Sequence, residues 1–227
     1  MRPPEVLLTA ERRELQVVGI VDHSTGRNGR AFAEAAPAFA VQVLVGIELE
    51  SSEGVHLLAL FDDVIALTAF DALIATHLPP ARNDPRVLGP QQLLDAWGHV
   101  IGEDERLLIA AVDVGLERLV AWIADHGGLS IAAHVDRTAN GLLPTLGFIP
   151  PRLRVDLLEV SWRMTREDAV RRWPDLRGRP LICGSDAHVL DDIGRCGCCV
   201  EELPAPGDIG LHEWAAALAE AVRMPDA

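Results

Sequence analysis

Short apolar runs rich in Val, Ile and Leu recur along this chain, each separated from the next by residues of helical or loop character. LQVVGIV (15–21), VQVLVGIEL (41–49), VHLLALF (55–61), LSIAAH (129–134), VDLLEV (155–160) and PLICGS (180–185) read as buried strands. GRAFAEAAPAFA (29–40, with Pro37 near its end), residues 62–77 and residues 89–101 carry helical spacing. DVGLERLVAWIADHGG (113–128) reads as a helix stopped by glycine, MTREDAVRRW (164–173) as one opening on a Thr cap, and HEWAAALAEAVRM (212–224) as a closing helix. Strands that are apolar along their whole length need cover on both faces, and helices in alternation supply it. The expected fold class is therefore α/β with a largely parallel sheet. The Pro-rich stretch LPPARNDPRVLG (78–89) reads as a connection, and residues 1–227 are expected to form one domain.

Charge and composition narrow the function classes. The formal charge is −14, which argues against non-specific nucleic-acid binding, because that depends on a basic surface neutralising phosphates. It leaves room for a metal-lined pocket that takes a single phosphate, since bound cations dominate the local field. No apolar run approaches the ~20 residues of a membrane span, and MRPPEVLLTAERREL is amphipathic and mixed in charge, unlike a secretory signal. A cytoplasmic setting is expected. The four cysteines, Cys183, Cys196, Cys198 and Cys199, form one crowded cluster without the second pair that a zinc site uses, so unpaired thiols are expected.

In parallel α/β sheets, functional groups gather beyond the C-terminal ends of the strands. The run 15–21 ends in Asp22-His23, 41–47 in Glu48, 129–133 in His134 with Asp136 and Arg137 behind it, and 180–184 in Ser185-Asp186-Ala187-His188. His56 begins its strand just after the turn SSEG, so an antiparallel return would bring it to the same rim. Each group has a plainer alternative. Glu48 could solvate a turn, Asp186 could cap the following segment with His188 exposed, and Arg137 could pair with Asp136. The coincidence of five positions favours a shared site. Imidazoles and carboxylates without thiols suit Mn, Fe or Zn in a hydrolytic centre, where a carboxylate such as Glu48 can bridge two ions. Asp22 is ambiguous: it precedes His23 and could orient a ring nitrogen of a ligand. Asn28 and Arg137 lie near the rim as candidate substrate-binding residues, Arg137 for phosphate. His77, His99, His126 and His212 fall outside the pattern and read as structural or surface residues.

GIVDHSTGRN, VLVGIELESSEGVHLLALF, SIAAHVDR, LGFIPPRLRVDLLEVS and ICGSDAHVLDDIG, taken in order, resemble the later motifs of the polymerase and histidinol phosphatase (PHP) domain family, most closely its stand-alone phosphoesterases. The resemblance spans about residues 1–195. It implies a distorted (β/α)7, TIM-like barrel with up to three divalent metals at its C-terminal rim. It assigns Glu48, His56 and His134 to one metal, with Glu48 bridging to a second. Asp186 falls to that second metal, His23 and His188 to a third, and Arg137 to the substrate phosphate. The implied substrates are phosphate esters: small phosphorylated metabolites, nucleotides or short oligonucleotides.

The sequence departs from the family pattern at its start. Members open on a strand carrying D-x-H-x-H and a further Asp, whereas MRPPEVLL aligns with the helix that follows. The first barrel strand, two histidines of the second metal and one aspartate of the third therefore have no counterpart. The expectation is a coding start upstream of Met1; the alternative is a catalytically impaired, PHP-like binding or regulatory domain holding fewer metals. An unpaired sheet edge is expected where the barrel would close.

Overall fold

The computed structural model describes residues 1–201 and 203–223. Helix α1 (Pro3–Arg12) uses its prolines at the first turn, where the missing N–H costs nothing, and buries Val6, Leu7 and Ala10. Next come β1 (Val17–His23), α2 (Gly29–Ala35, running into a 3-10 turn at Ala36–Ala38), β2 (Gln42–Glu50), β3 (His56–Phe61) and α3 (Val64–Ala75). Pro37 thus ends an α2 shorter than its sequence pattern suggests. Asp63 caps α3 by accepting from the Ile65 and Ala66 N–H groups. A short α4 (Pro85–Leu88) precedes the hairpin β4 (Gln92–Leu94)/β5 (Val100–Glu103). The second half runs α5 (Leu116–Asp125), β6 (Leu129–Ala132), α6 (Leu142–Leu146), β7 (Leu157–Ser161), α7 (Arg166–Arg172), β8 (Leu181–Gly184), α8 (Pro206–Ile209) and α9 (Leu211–Ala221). The closing helix matches the sequence expectation up to Ala221; Met224 lies outside the described residues.

Residues 89–101 are a hairpin, not the helix their spacing suggests. The Asp95 carboxylate accepts from the Trp97 and His99 N–H groups and Gly98 takes φ +84°, so a local turn outcompetes the helix.

Six strands form one curled, half-barrel sheet in the order β1-β2-β3-β6-β7-β8. All pairings are parallel except those of β3, which runs antiparallel to β2 and β6. The period of two sorts the side chains. On the convex side, Val45, Ile47, Leu49, Leu57, Ala59, Phe61, Leu158, Val160 and Leu181 pack with α1, α2, α3, α5 and α7. On the concave side, Leu44, Leu60, Leu129, Ile131 and Leu157 meet Leu211, Trp214, Ala215 and Leu218 of α9. Fully burying a side chain such as Phe70 or Leu119 stabilises by about 1.5–3 kcal/mol. Glu48, His56 and Glu159 share the concave parity, two residues or a multiple of two from Leu44, Leu60 and Leu157. The alternation that builds the core thus also carries polar groups to one end of the hollow.

Gly46 marks the tightest point of the sheet, because a Cβ there would stand 2.1 Å from the Ala59 carbonyl oxygen. Glu53, in the turn between β2 and β3, accepts from the Leu116 N–H at 3.0 Å and so ties that hairpin to the start of α5.

Candidate metal centre

Glu48 stands at the centre of the rim. It is 7 % exposed, and its Oε1 lies 2.8 Å from His56 Nδ1 and 3.6 Å from His134 Nε2. Its Oε2 lies 3.6 Å from His23 Nδ1. Glu48 and His56 meet because β2 and β3 pair Glu50 with His56 across a tight return; His134 arrives one residue past Ala133, at the end of β6. Burial disfavours the Glu48 charge, but the neighbouring His134 and His56 rings, with His23 beside them, outweigh it and hold the carboxyl well below the usual range. The charged form of the group is thereby favoured.

Glu48, His56 and His134 each offer a ligand atom, and those atoms all lie within 4.8 Å of one another. His134 is 1 % exposed, and neither ring nitrogen has a hydrogen-bond partner among the described residues. An imidazole buried with both nitrogens idle costs free energy unless something accepts its lone pair. A carboxylate and two imidazoles with such an orphaned ring fit a divalent cation of the Mn, Fe or Zn class.

The remaining rim groups stand nearby in looser array. The His23 ring centroid is 5.6 Å from that of His56 and 6.3 Å from that of His188. Asp186 pairs with Arg137 Nη1 at 2.6 Å, and its backbone carbonyl accepts from His188 Nδ1 at 3.0 Å when that nitrogen is protonated. His188 is 65 % exposed at its side chain. Arg137 thus reaches Asp186 across the rim instead of its neighbour Asp136, whose carboxylate accepts from the Ser161 N–H and hydroxyl. Ser24, His134 and Asp186 all have positive φ, at +48°, +29° and +46°. Such backbone costs on the order of 1–3 kcal/mol per residue and tends to collect at functional sites.

Asn28 is engaged structurally. Its amide donates to Asp22 Oδ2 and the Gln92 carbonyl, and its Oδ1 accepts from the Leu94 N–H, fastening the β4–β5 hairpin to the rim. Asp22 therefore faces Asn28, and burial raises its pKa. The other histidines have local partners: His77 on Asp113, His99 on Asp95 and His126 on the Trp122 carbonyl. His212 is exposed.

Glu159 was not singled out by the sequence. It sits on β7 with Oε1 accepting from the His134 N–H at 3.2 Å, and burial, joined by Glu48, Asp186 and Asp136, pushes its carboxyl up to about 8. Its strand-end place in LLEVS was the available signal. Trp162 and Arg195 were also missed. They line a cavity of about 570 Å³ over the metal candidates, with the Arg195 guanidinium 4.0 Å from the Trp162 ring centroid.

No family model and no curated protein sequence matches this chain. Solved structures match it in shape. The lesion-specific endonuclease Q of Pyrococcus furiosus superposes with a TM-score of 0.66 at 15 % identity, over 97 % of this chain and 52 % of its own. The chain therefore spans about half the length of that enzyme. An amidohydrolase from Chromobacterium violaceum, solved with sulfate and no metal, superposes at 0.57 and 17 % identity over 100 % of this chain and 93 % of its own. A protein described as a metal-dependent phosphoesterase, from Bifidobacterium adolescentis, superposes at 0.52 and 17 % identity over 83 % and 82 %. At these identities the shared property is the fold: a mixed α/β chain curled into part of a barrel, found among hydrolytic proteins.

Proposed function

We propose that this chain is a metal-dependent hydrolase of phosphate esters, built on a distorted (β/α)7 barrel of the PHP type as a single domain. One observation carries the reading: Glu48, His56 and His134 converge, and the buried His134 imidazole has no hydrogen-bond partner among the described residues. Glu48, His56 and His134 would hold one ion, and Asp186, His23 and His188 would border positions for others. Such an ion supplies Lewis acidity toward a phosphoryl group and an activated water. The protein's own groups do the rest. Glu48 presents its carboxylate to the ion, Glu159 braces the His134 backbone, and Arg137 shifts from Asp186 to a substrate phosphate. The substrate is a small phosphorylated molecule reaching the rim through the cavity under Trp162.

The test is calorimetric titration with Mn²⁺ and Zn²⁺, followed by hydrolysis of a phosphomonoester and a carboxylic ester. Metal binding that Glu48→Gln abolishes, with phosphate hydrolysis that Arg137→Ala weakens selectively, supports the proposal. A chain that binds neither ion, or an Arg137→Ala variant equally impaired on both esters, refutes it.

A further inference from the structure

The cysteine cluster is not absorbed by the metal centre, and its arrangement departs from the unpaired thiols that the sequence suggests. Cys183 and Cys196 are disulfide-bonded, with Cα atoms 6.0 Å apart, inside the range such a bond requires. Cys198 and Cys199 are free and exposed, and Cys198 Sγ accepts from the Cys183 N–H at 3.3 Å, which puts a thiol beside the disulfide.

The loop closed by this bond carries Ser185, Asp186 and His188. Its far half has its own anchors: Ile193 is buried, and Arg13 donates to the Asp191 and Ile193 carbonyls. The near half is held by arginine side chains and by the pairing of Cys183 and Gly184 with β7. Arg195 donates twice to the Ser185 carbonyl at 3.1 Å, Arg137 holds Asp186, and Asp186 itself takes a positive φ that any slack would relax. The disulfide is the covalent tie on that half.

We propose that Cys183 and Cys196 form a redox-modification site that sets the order of the loop bearing Asp186 and His188, with Cys198 as the thiol that opens it. The Cys198 thiolate attacks Cys183 Sγ. A Cys183–Cys198 bond forms as the Cys183–Cys196 bond breaks, and the electron pair leaves on the Cys196 sulfur, which takes up the proton that Cys198 gave up. Two equivalents of a glutathione-type thiol then reduce the bridge fully, supplying two electrons and two protons and leaving as their own disulfide. In a reducing compartment disulfides are commonly transient, and catalytic or redox-sensing. The effect on metal rests on the function proposed above; the effect on loop order does not.

The full chain would be equilibrated with oxidised glutathione, mapped by non-reducing peptide mass spectrometry, and compared by hydrogen exchange before and after dithiothreitol, with Cys196→Ser and Cys198→Ser alongside. The expected linkage is Cys183–Cys196. The loop amides that donate hydrogen bonds, those of Cys183, Asp192, Ile193 and Arg195, lose about tenfold or more of their protection on reduction while β2 and β3 keep theirs, and Cys198→Ser slows the opening. Because dithiothreitol opens the loop of the unsubstituted protein, a Cys196→Ser chain that fails to fold leaves the comparison intact. An absent linkage, or equal protection in both redox states, overturns the proposal. Mn²⁺ titration of the two forms separates the layers. Affinity that falls with loop order supports both readings. Changed order with unchanged affinity upholds the redox site and removes Asp186 and His188 from the metal.

Discussion

Replacing Glu159 by Gln in the metal-free protein isolates the rim's buried carboxyl. Burial raises this group from an ordinary 4.5 to about 8, and the Glu48, Asp186 and Asp136 charges push the same way against the His134 N–H. A carboxyl that binds its proton more tightly when folded adds stability that is complete below pH 4.5 and is lost as the pH rises through 8. Each tenfold in proton affinity is worth about 1.4 kcal/mol, so the whole effect is on the order of 5 kcal/mol, of which about 3 kcal/mol disappears between pH 5.5 and 8. For a chain of this size that is a melting shift of roughly 10 °C. Urea and thermal unfolding in chelator, at steps from pH 5.5 to 8.5, would show the loss in the unsubstituted protein and a much flatter profile for Glu159→Gln. Asp22, raised by its own burial, is common to both proteins and cancels in the difference. Glu48 is shifted downward and acts only in acid, outside this window. Parallel profiles for the two proteins would refute the reasoning.

Glu48→Gln is expected to weaken Mn²⁺ or Zn²⁺ binding by more than about 100-fold by calorimetry, because one carboxylate faces all three imidazoles. Gly46→Ala forces a methyl against the Ala59 carbonyl and should cost about 3 kcal/mol or more in urea denaturation. Phe70→Ala empties a fully buried site beneath the sheet and should cost about 3–5 kcal/mol, read from the shift of the unfolding midpoint. Thr165→Ala removes the oxygen that accepts from the Asp168 N–H at the start of α7, a loss of about 1 kcal/mol visible as a small melting shift.

The sequence carried the elements wherever one period dominated. The apolar runs became six strands of one sheet, and the turn SSEG returned His56 beside Glu48 because Gly54 takes φ +80° and the chain reverses within five residues. Reading failed where a side chain competed with periodicity, as Asp95 did in the β4–β5 hairpin. It failed also where partners lie far apart in sequence. Adjacency points Arg137 to Asp136, yet it closes on Asp186, and Asn28 bonds to Gln92 and Leu94 of the hairpin. Glu159 is hidden by its surroundings: in LLEVS it sits among residues that all become buried, and only the curl of the sheet turns it toward Glu48. The cysteine pairing depends on how β8 and the following loop fold back, which spacing alone does not encode.

The return between β2 and β3 also bears on the order of events during folding. Glu48 and His56 are eight residues apart on paired strands, so a hairpin, which closes in about 1–10 μs, already holds two of the three groups of the candidate metal triad. His134 follows only when β6 docks on β3 across more than seventy residues, the slower and more entropically costly closure. A cation captured by the hairpin would be waiting for its third ligand, and would reward the long-range docking that completes the sheet.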